Sequence, residues 1–195
     1  MKISQSSSLQ KYNLIIYALL MKWKTAITII KKEKEYIHGE ALSELVEKYS
    51  FAEAIFFLLR GKFPTGKEGR VWNALLVAAI DHGAGTSSAI TARTVASAGN
   101  ALNTAVGAGI LSLGDTHGGA IEGAAKFFME HGDEKNCEVL AQDLRAKKIR
   151  VAGYGHRVFK TVDPRARQLL EIARANKVSG KFCGFAEKFE KELTK

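Results

Sequence analysis

Two prolines, Pro64 and Pro164, are all that interrupt 195 residues, and the stretches between them are rich in Ala, Leu, Glu and Lys. Proline-free runs of strong helix formers point to a mostly helical chain. The 18 glycines need a separate explanation, because each costs about 1 kcal/mol inside a helix. Turns, helix ends and close approach to a ligand or a second backbone are the places where glycine is useful.

A chain of 195 residues corresponds to one domain, or to two lobes sharing a core, and can bury that core without staples. Two cysteines, Cys137 and Cys183, exclude a disulfide scaffold and a Cys-based zinc site. The net charge of +9 is confined to the C-terminal quarter. Residues 145–195 carry 14 basic and 5 acidic side chains, against 15 and 15 in the preceding 144. Such an excess calls for an anionic partner (nucleic acid, an acidic lipid surface, or a small molecule bearing phosphates or carboxylates), or forms a solvated cationic face.

Near the start, the apolar run Leu14 to Met21 loosely resembles a signal-peptide core, but Lys22 and Lys24 follow at once without a small-residue cleavage pattern. The run is also too short to span a bilayer. Residues 1–21 therefore read as an N-terminal extension before a domain over 22–195, with Met21 a candidate natural start. The β-prone stretch from Trp23 to Ile30, the charged turn Lys31–Glu35 and Tyr36–Ile37 predict a small hairpin, the only strand signal. Leu42, Leu45 and Val46 begin a helical pattern, and Phe51–Leu59 forms a second helix ended by Gly61 and Pro64. Val71–Ile80 is apolar enough to predict a helix buried on most sides. Ser87–Ala98 and Ala101–Leu113 read as small-residue helices suited to a buried or subunit-facing position. Helices are expected over Ala120–Met129 and Glu134–Ala146, then a Gly-rich loop at 151–158 and a helix opened by Asp163-Pro164. The final helix carries Phe182, Phe185, Phe189 and Leu193 along one side, a face that later residues are expected to cover.

All five histidines have a glycine neighbour, which lets a substrate or a second backbone approach the imidazole. His38 and His131 lie in polar surroundings and read as turn residues. His82 ends an apolar stretch, His117 immediately precedes a helix, and His156 follows a run of small residues. The start of the following helix is expected to surround His117 with backbone N–H groups and keep its imidazole a neutral hydrogen-bond donor. Metalloprotease spacings such as HExxH are absent. Gly153-Tyr154-Gly155 lacks the third glycine of a dinucleotide fingerprint, and neither GxxxxGK[ST] nor GxSxG occurs. No aromatic-interleaved nucleic-acid motif accompanies the basic residues.

Taken together, IDHGAGTSSAITARTVAS at 80–97, LGDTHGGAIEGAAKFF at 113–128 and VAGYGHRVFKTVDPRARQLLEIA at 151–173 resemble the citrate synthase family. GDTHGGAIEGAAKFF and GYGHRV look closest to citryl-CoA lyases and to the lyase domain of ATP-citrate lyase. The resemblance implies an all-α fold with a small N-terminal hairpin, a large helical lobe plus the start of a small one, and a missing C-terminal part. It implies cleavage of citryl-CoA to acetyl-CoA and oxaloacetate through an acetyl-CoA enolate, with citrate synthesis or a non-catalytic CoA- or citrate-binding role as alternatives.

Carried over residue by residue, His117 matches the histidine that hydrogen-bonds the thioester enolate, and His156 the one that contacts the oxaloacetate carbonyl or citryl hydroxyl. His82 matches the histidine that binds the oxaloacetate or citrate moiety. Arg165 matches a carboxylate-binding arginine, with Arg167 a second candidate and Arg157 placed to meet a phosphate or carboxylate. Val151, Ala152, Gly153, Tyr154 and Gly155 match the loop that lies along CoA. The resemblance further implies a cytoplasmic homodimer or higher oligomer, with no metal, no cofactor beyond substrate CoA, and neither nucleic acid nor membrane as partner. The family's aspartate base falls downstream of Lys195, so the chain reads as a fragment or a truncated homologue with little or no activity.

Overall fold

The computed structural model describes residues 25–155 and 162–194. The apolar run at 14–21, the expected extension, His156 and Arg157 lie outside the described residues. The chain divides between Phe63 and Pro64 into two compact units.

In the first unit, β1 (Thr28–Lys31) and β2 (Lys34–Ile37) form the expected hairpin, with Thr28 opposite Ile37 and Lys31 opposite Lys34. The turn is only two residues long: Lys32 and Glu33 both take positive φ, 49° and 61°, as a tight hairpin demands. A third strand escapes the sequence reading. β3 (Glu40–Ala41) pairs antiparallel with β2 after a turn at His38-Gly39, where both residues again have positive φ. Two helices follow, α1 (Leu42–Lys48) and α2 (Phe51–Arg60). Ser50 and Glu53 close a reciprocal capping box that starts α2. His38 is a turn residue, as expected, and its Nε2 also bonds the Leu58 carbonyl at 3.0 Å. Its ring meets the edge of Phe57, which stacks on Phe63 and is nearly fully buried.

The second unit contains seven helices among the described residues: α3 (Gly66–Ala78), α4 (Ser87–Ser97), α5 (Leu102–Leu111), α6 (Ala120–His131), α7 (Cys137–Ala146), α8 (Pro164–Ala175) and α9 (Lys181–Leu193). A Thr65–Glu68 capping box starts α3 five residues before the apolar run that suggested it. The expectation of a helix buried on most sides does not hold: α3 has no buried residue, and Leu75, Val77 and Ile80 are exposed. α3 packs against α8, and α4 lies against α5. There a Cβ at Gly109 would fall 3.1 Å from the Ser88 carbonyl oxygen.

The core of this unit is aromatic. Phe185 and Phe189 of α9 stack with parallel rings and pack on Cys137, Ala141 and Leu144 of α7. Phe127 and Phe128 of α6, with Val151 and Tyr154, close the cluster. Phe185, Phe189 and Leu193 of the last helix's apolar stripe are therefore covered from within the chain, by α6, α7 and the 151–155 loop, whereas Phe182 at its start is 39% exposed. Spacing along a helix reveals an apolar face but not what lies against it. Among the described residues, no helix is long and apolar enough to cross a membrane.

Candidate active site

His117 closes a four-residue turn. Its N–H and carbonyl exchange hydrogen bonds with Gly114 at 2.9 Å each, and the Gly119 N–H donates to the same Gly114 carbonyl at 3.0 Å. A Cβ at Gly119 would lie 2.7 Å from both the Asp115 Cα and the Gly114 oxygen, so this turn accepts no other residue there. α6 begins one residue later, as the sequence predicts.

The half-buried imidazole is held from another helix. The Ser88 backbone N–H donates to His117 Nε2 at 3.2 Å, and Ser88 Oγ lies 3.0 Å from the same nitrogen. Ser88 is the second residue of α4, and its N–H is one of the donors that a helix start leaves without an intrahelical partner. A backbone N–H can only donate, so Nε2 is the acceptor and the hydrogen of the neutral ring sits on Nδ1. The N–H that meets the ring thus belongs to α4, whereas sequence reasoning looked to the helix that follows. Ser88 itself was missed, and a serine pair after Thr86 at a helix start was its only signal.

His82 is exposed in the loop between α3 and α4. The Asp81 carboxylate accepts the Gly83 N–H at 3.0 Å and turns this loop, which then runs into the α4 residues that hold His117. On the other side, residues 151–155 lie on α6. A Cβ at Gly123 would be 2.8 Å from Ala152 Cβ, and one at Gly153, where φ is +87°, would be 2.9 Å from Ala124 Cβ. The first two motifs thus meet through Ser88 and His117, and the second and third through Gly123 and Ala152.

Asp163 caps α8 as expected, accepting the Arg165 N–H at 2.9 Å. The same carboxylate holds the Arg165 guanidinium in a two-pronged grip, Nε at 3.2 Å and Nη2 at 2.9 Å. These bonds stabilise the charged form and raise the already high pKa of Arg165. Arg167 is exposed and pairs with Glu171 one turn on. α8 packs on α3, the helix that leads to the His82 loop.

With these features in place, the class of protein is settled: residues 11–195 match the family described as citrate synthase, C-terminal domain, and the chain belongs to it. Among solved structures it is similar to citryl-CoA lyase from Hydrogenobacter thermophilus, at 43% identity and a TM-score of 0.83, over 89% of this chain and 68% of that one. ATP citrate lyase from Methanothrix soehngenii, solved with citrate and coenzyme A, shares the fold at 24% identity and a TM-score of 0.81, over 100% of this chain and 32% of that one. Curated relatives are citrate synthases. Citrate synthase 2 of Bacillus subtilis (strain 168) is 35% identical over 129 residues, 66% of this chain and 34% of that protein. The chain thus spans about a third of the length of the curated relatives it matches.

Proposed function

We propose that this chain carries the acyl-CoA site of a citryl-CoA lyase, which splits citryl-CoA into acetyl-CoA and oxaloacetate. The observation that carries the reading is the His117–Ser88 contact: with Nε2 occupied by an N–H, Nδ1–H is the ring's donor. Cleavage moves the electrons of the broken carbon–carbon bond onto the thioester, and a donor held in advance stabilises the oxygen where charge develops. The proton of the citryl hydroxyl passes to His156 as the oxaloacetate carbonyl forms, His156 being the residue that the sequence resemblance assigns to contact with that hydroxyl. The enolate then takes up a proton to give acetyl-CoA. His82 and Arg165, with Arg167 as the alternative arginine, are assigned to the citryl moiety, and Arg157 to a carboxylate or a phosphate of CoA; such groups suit arginine forks. The backbone of Val151–Gly155 is assigned to CoA.

The 43% identity to a citryl-CoA lyase supports cleavage. The citrate synthases among the curated relatives support the second reading, in which acetyl-CoA and oxaloacetate condense and water releases CoA. Pairing with a second copy belongs to either reading, and exposed Ile90, Val106, Ile110 and Leu111 on α4 and α5 suit it.

The two reactions differ in their sulfur product. A lyase incubated with citryl-CoA releases oxaloacetate without free thiol, because the sulfur stays in acetyl-CoA. A synthase liberates thiol from acetyl-CoA plus oxaloacetate. Neither product, with CoA still bound, would leave a binding homologue and sink the enzyme reading.

Asp163→Asn tests the assignment of Arg165. Asparagine keeps the cap oxygen but loses the charge that orients the guanidinium, so citrate is expected to bind roughly three- to tenfold more weakly by calorimetry. Because this pair is partly exposed, the melting temperature should barely move. Unchanged citrate affinity would detach Arg165 from the substrate.

A further inference from the structure

The sequence resemblance assigns Tyr154 to CoA contact along with its neighbours, but the structure gives its side chain other work. The hydroxyl donates to the Ala186 carbonyl in α9 at 3.0 Å, and the ring meets Phe189 and Phe128 edge-on, at 5.3 and 6.2 Å between centroids. Burial pushes the phenol well above its ordinary pKa, with Glu190 and Cys137 acting in the same direction, so the group stays protonated as a donor. Immediately before it, Ala152 and Gly153 press on Gly123 and Ala124 of α6 with no room for a further methyl group. The loop is therefore clamped on one side by a partly buried hydrogen bond to α9 and on the other by direct contact with α6. Gly123 is in the first turn of α6, about 4.5 Å along its axis from Ala120, and His117 stands just ahead of that helix.

We propose that Tyr154 is a positioning residue: by tying 151–155 to α9 it fixes where the loop backbone lies along α6, and so its spacing from His117. The inference rests on the reading that this loop lies along CoA, but it moves the Tyr154 side chain from ligand contact to anchorage. The loop backbone then meets the acyl-CoA at a distance from the enolate donor set by α9, a helix that supplies none of the assigned site residues.

The test combines calorimetric binding of acetyl-CoA with amide hydrogen exchange on the intact chain. Tyr154→Phe keeps the ring packing and removes only the hydroxyl. It should weaken acetyl-CoA binding roughly fivefold, the worth of one net hydrogen bond, and speed exchange at the Tyr154 amide, whose N–H donates to the Val151 carbonyl within the loop. The amides of α7 and α9 should stay within about twofold. Gly123→Ala, which lifts Ala152 from the opposite side, should reproduce both effects. Faster loop exchange with unchanged acetyl-CoA affinity would overturn the proposal. So would unchanged loop exchange, or a general loosening of α7 and α9 that marks Tyr154 as merely structural. If the unsubstituted chain binds no acetyl-CoA, the CoA reading of the loop fails first and the positioning role falls with it.

Discussion

Replacing His117 by alanine is expected to slow solvent proton exchange into the methyl group of acetyl-CoA by about two to three orders of magnitude. Exchange requires the enolate, and the enolate oxygen is where the Nδ1–H donor is assigned to act. Removing one donor from a developing oxyanion costs about 2.7–4 kcal/mol, which is the origin of that factor. Acetyl-CoA affinity should change far less, because the ground-state carbonyl carries little of the charge. Ser88→Ala is the informative companion. It removes the hydroxyl near Nε2 but keeps the backbone N–H that sets the tautomer, so its loss should stay within about tenfold. Deuterium incorporation followed by NMR reads both variants. A His117→Ala chain that exchanges at the original rate would remove this residue from the chemistry.

The second large effect concerns stability. Phe189 is fully buried at the centre of the α6, α7 and α9 cluster, touching the Phe127, Tyr154 and Phe185 rings at centroid distances of 5.2–5.5 Å. Phe189→Ala should cost about 3–5 kcal/mol, from lost apolar burial plus the cavity left behind. Phe182 sits on the same helix but is 39% exposed, so Phe182→Ala should cost well under half as much. Urea unfolding monitored by circular dichroism compares the two. Equal midpoints would show that α9 does not dock where the structure places it.

Much of this fold could be read from patterns local to one element. The Phe182, Phe185, Phe189 and Leu193 stripe correctly marked one face of α9, and Asp163-Pro164 correctly marked the start of α8. What lay beyond reading was the identity of the partner surface. A stripe of phenylalanines looks the same whether α6 and α7 cover it or a later segment does. The apolar run at 71–80 gave no sign that Val77 and Ile80 would be exposed. β3 has two residues, too few for an alternating pattern, and Lys32 and Glu33 are not residues that advertise a tight turn. In the site, His117 stood out through its glycines. Ser88 did not, because 29 residues separate the two and serine is ordinary at a helix start.

The clamp on residues 151–155 also bears on the order of events during synthesis. Its hydrogen bond spans 32 residues, from Tyr154 to the Ala186 carbonyl. A nascent chain emerging at about 5–20 residues per second has made the glycine loop well before the helix that holds it. Until α9 leaves the ribosome the loop has its α6 contact alone, and Tyr154 has no acceptor at Ala186. A peptide spanning the third motif alone therefore lacks the Ala186 acceptor, and a split of the chain between the loop and α9 has to rebuild this contact on reassembly.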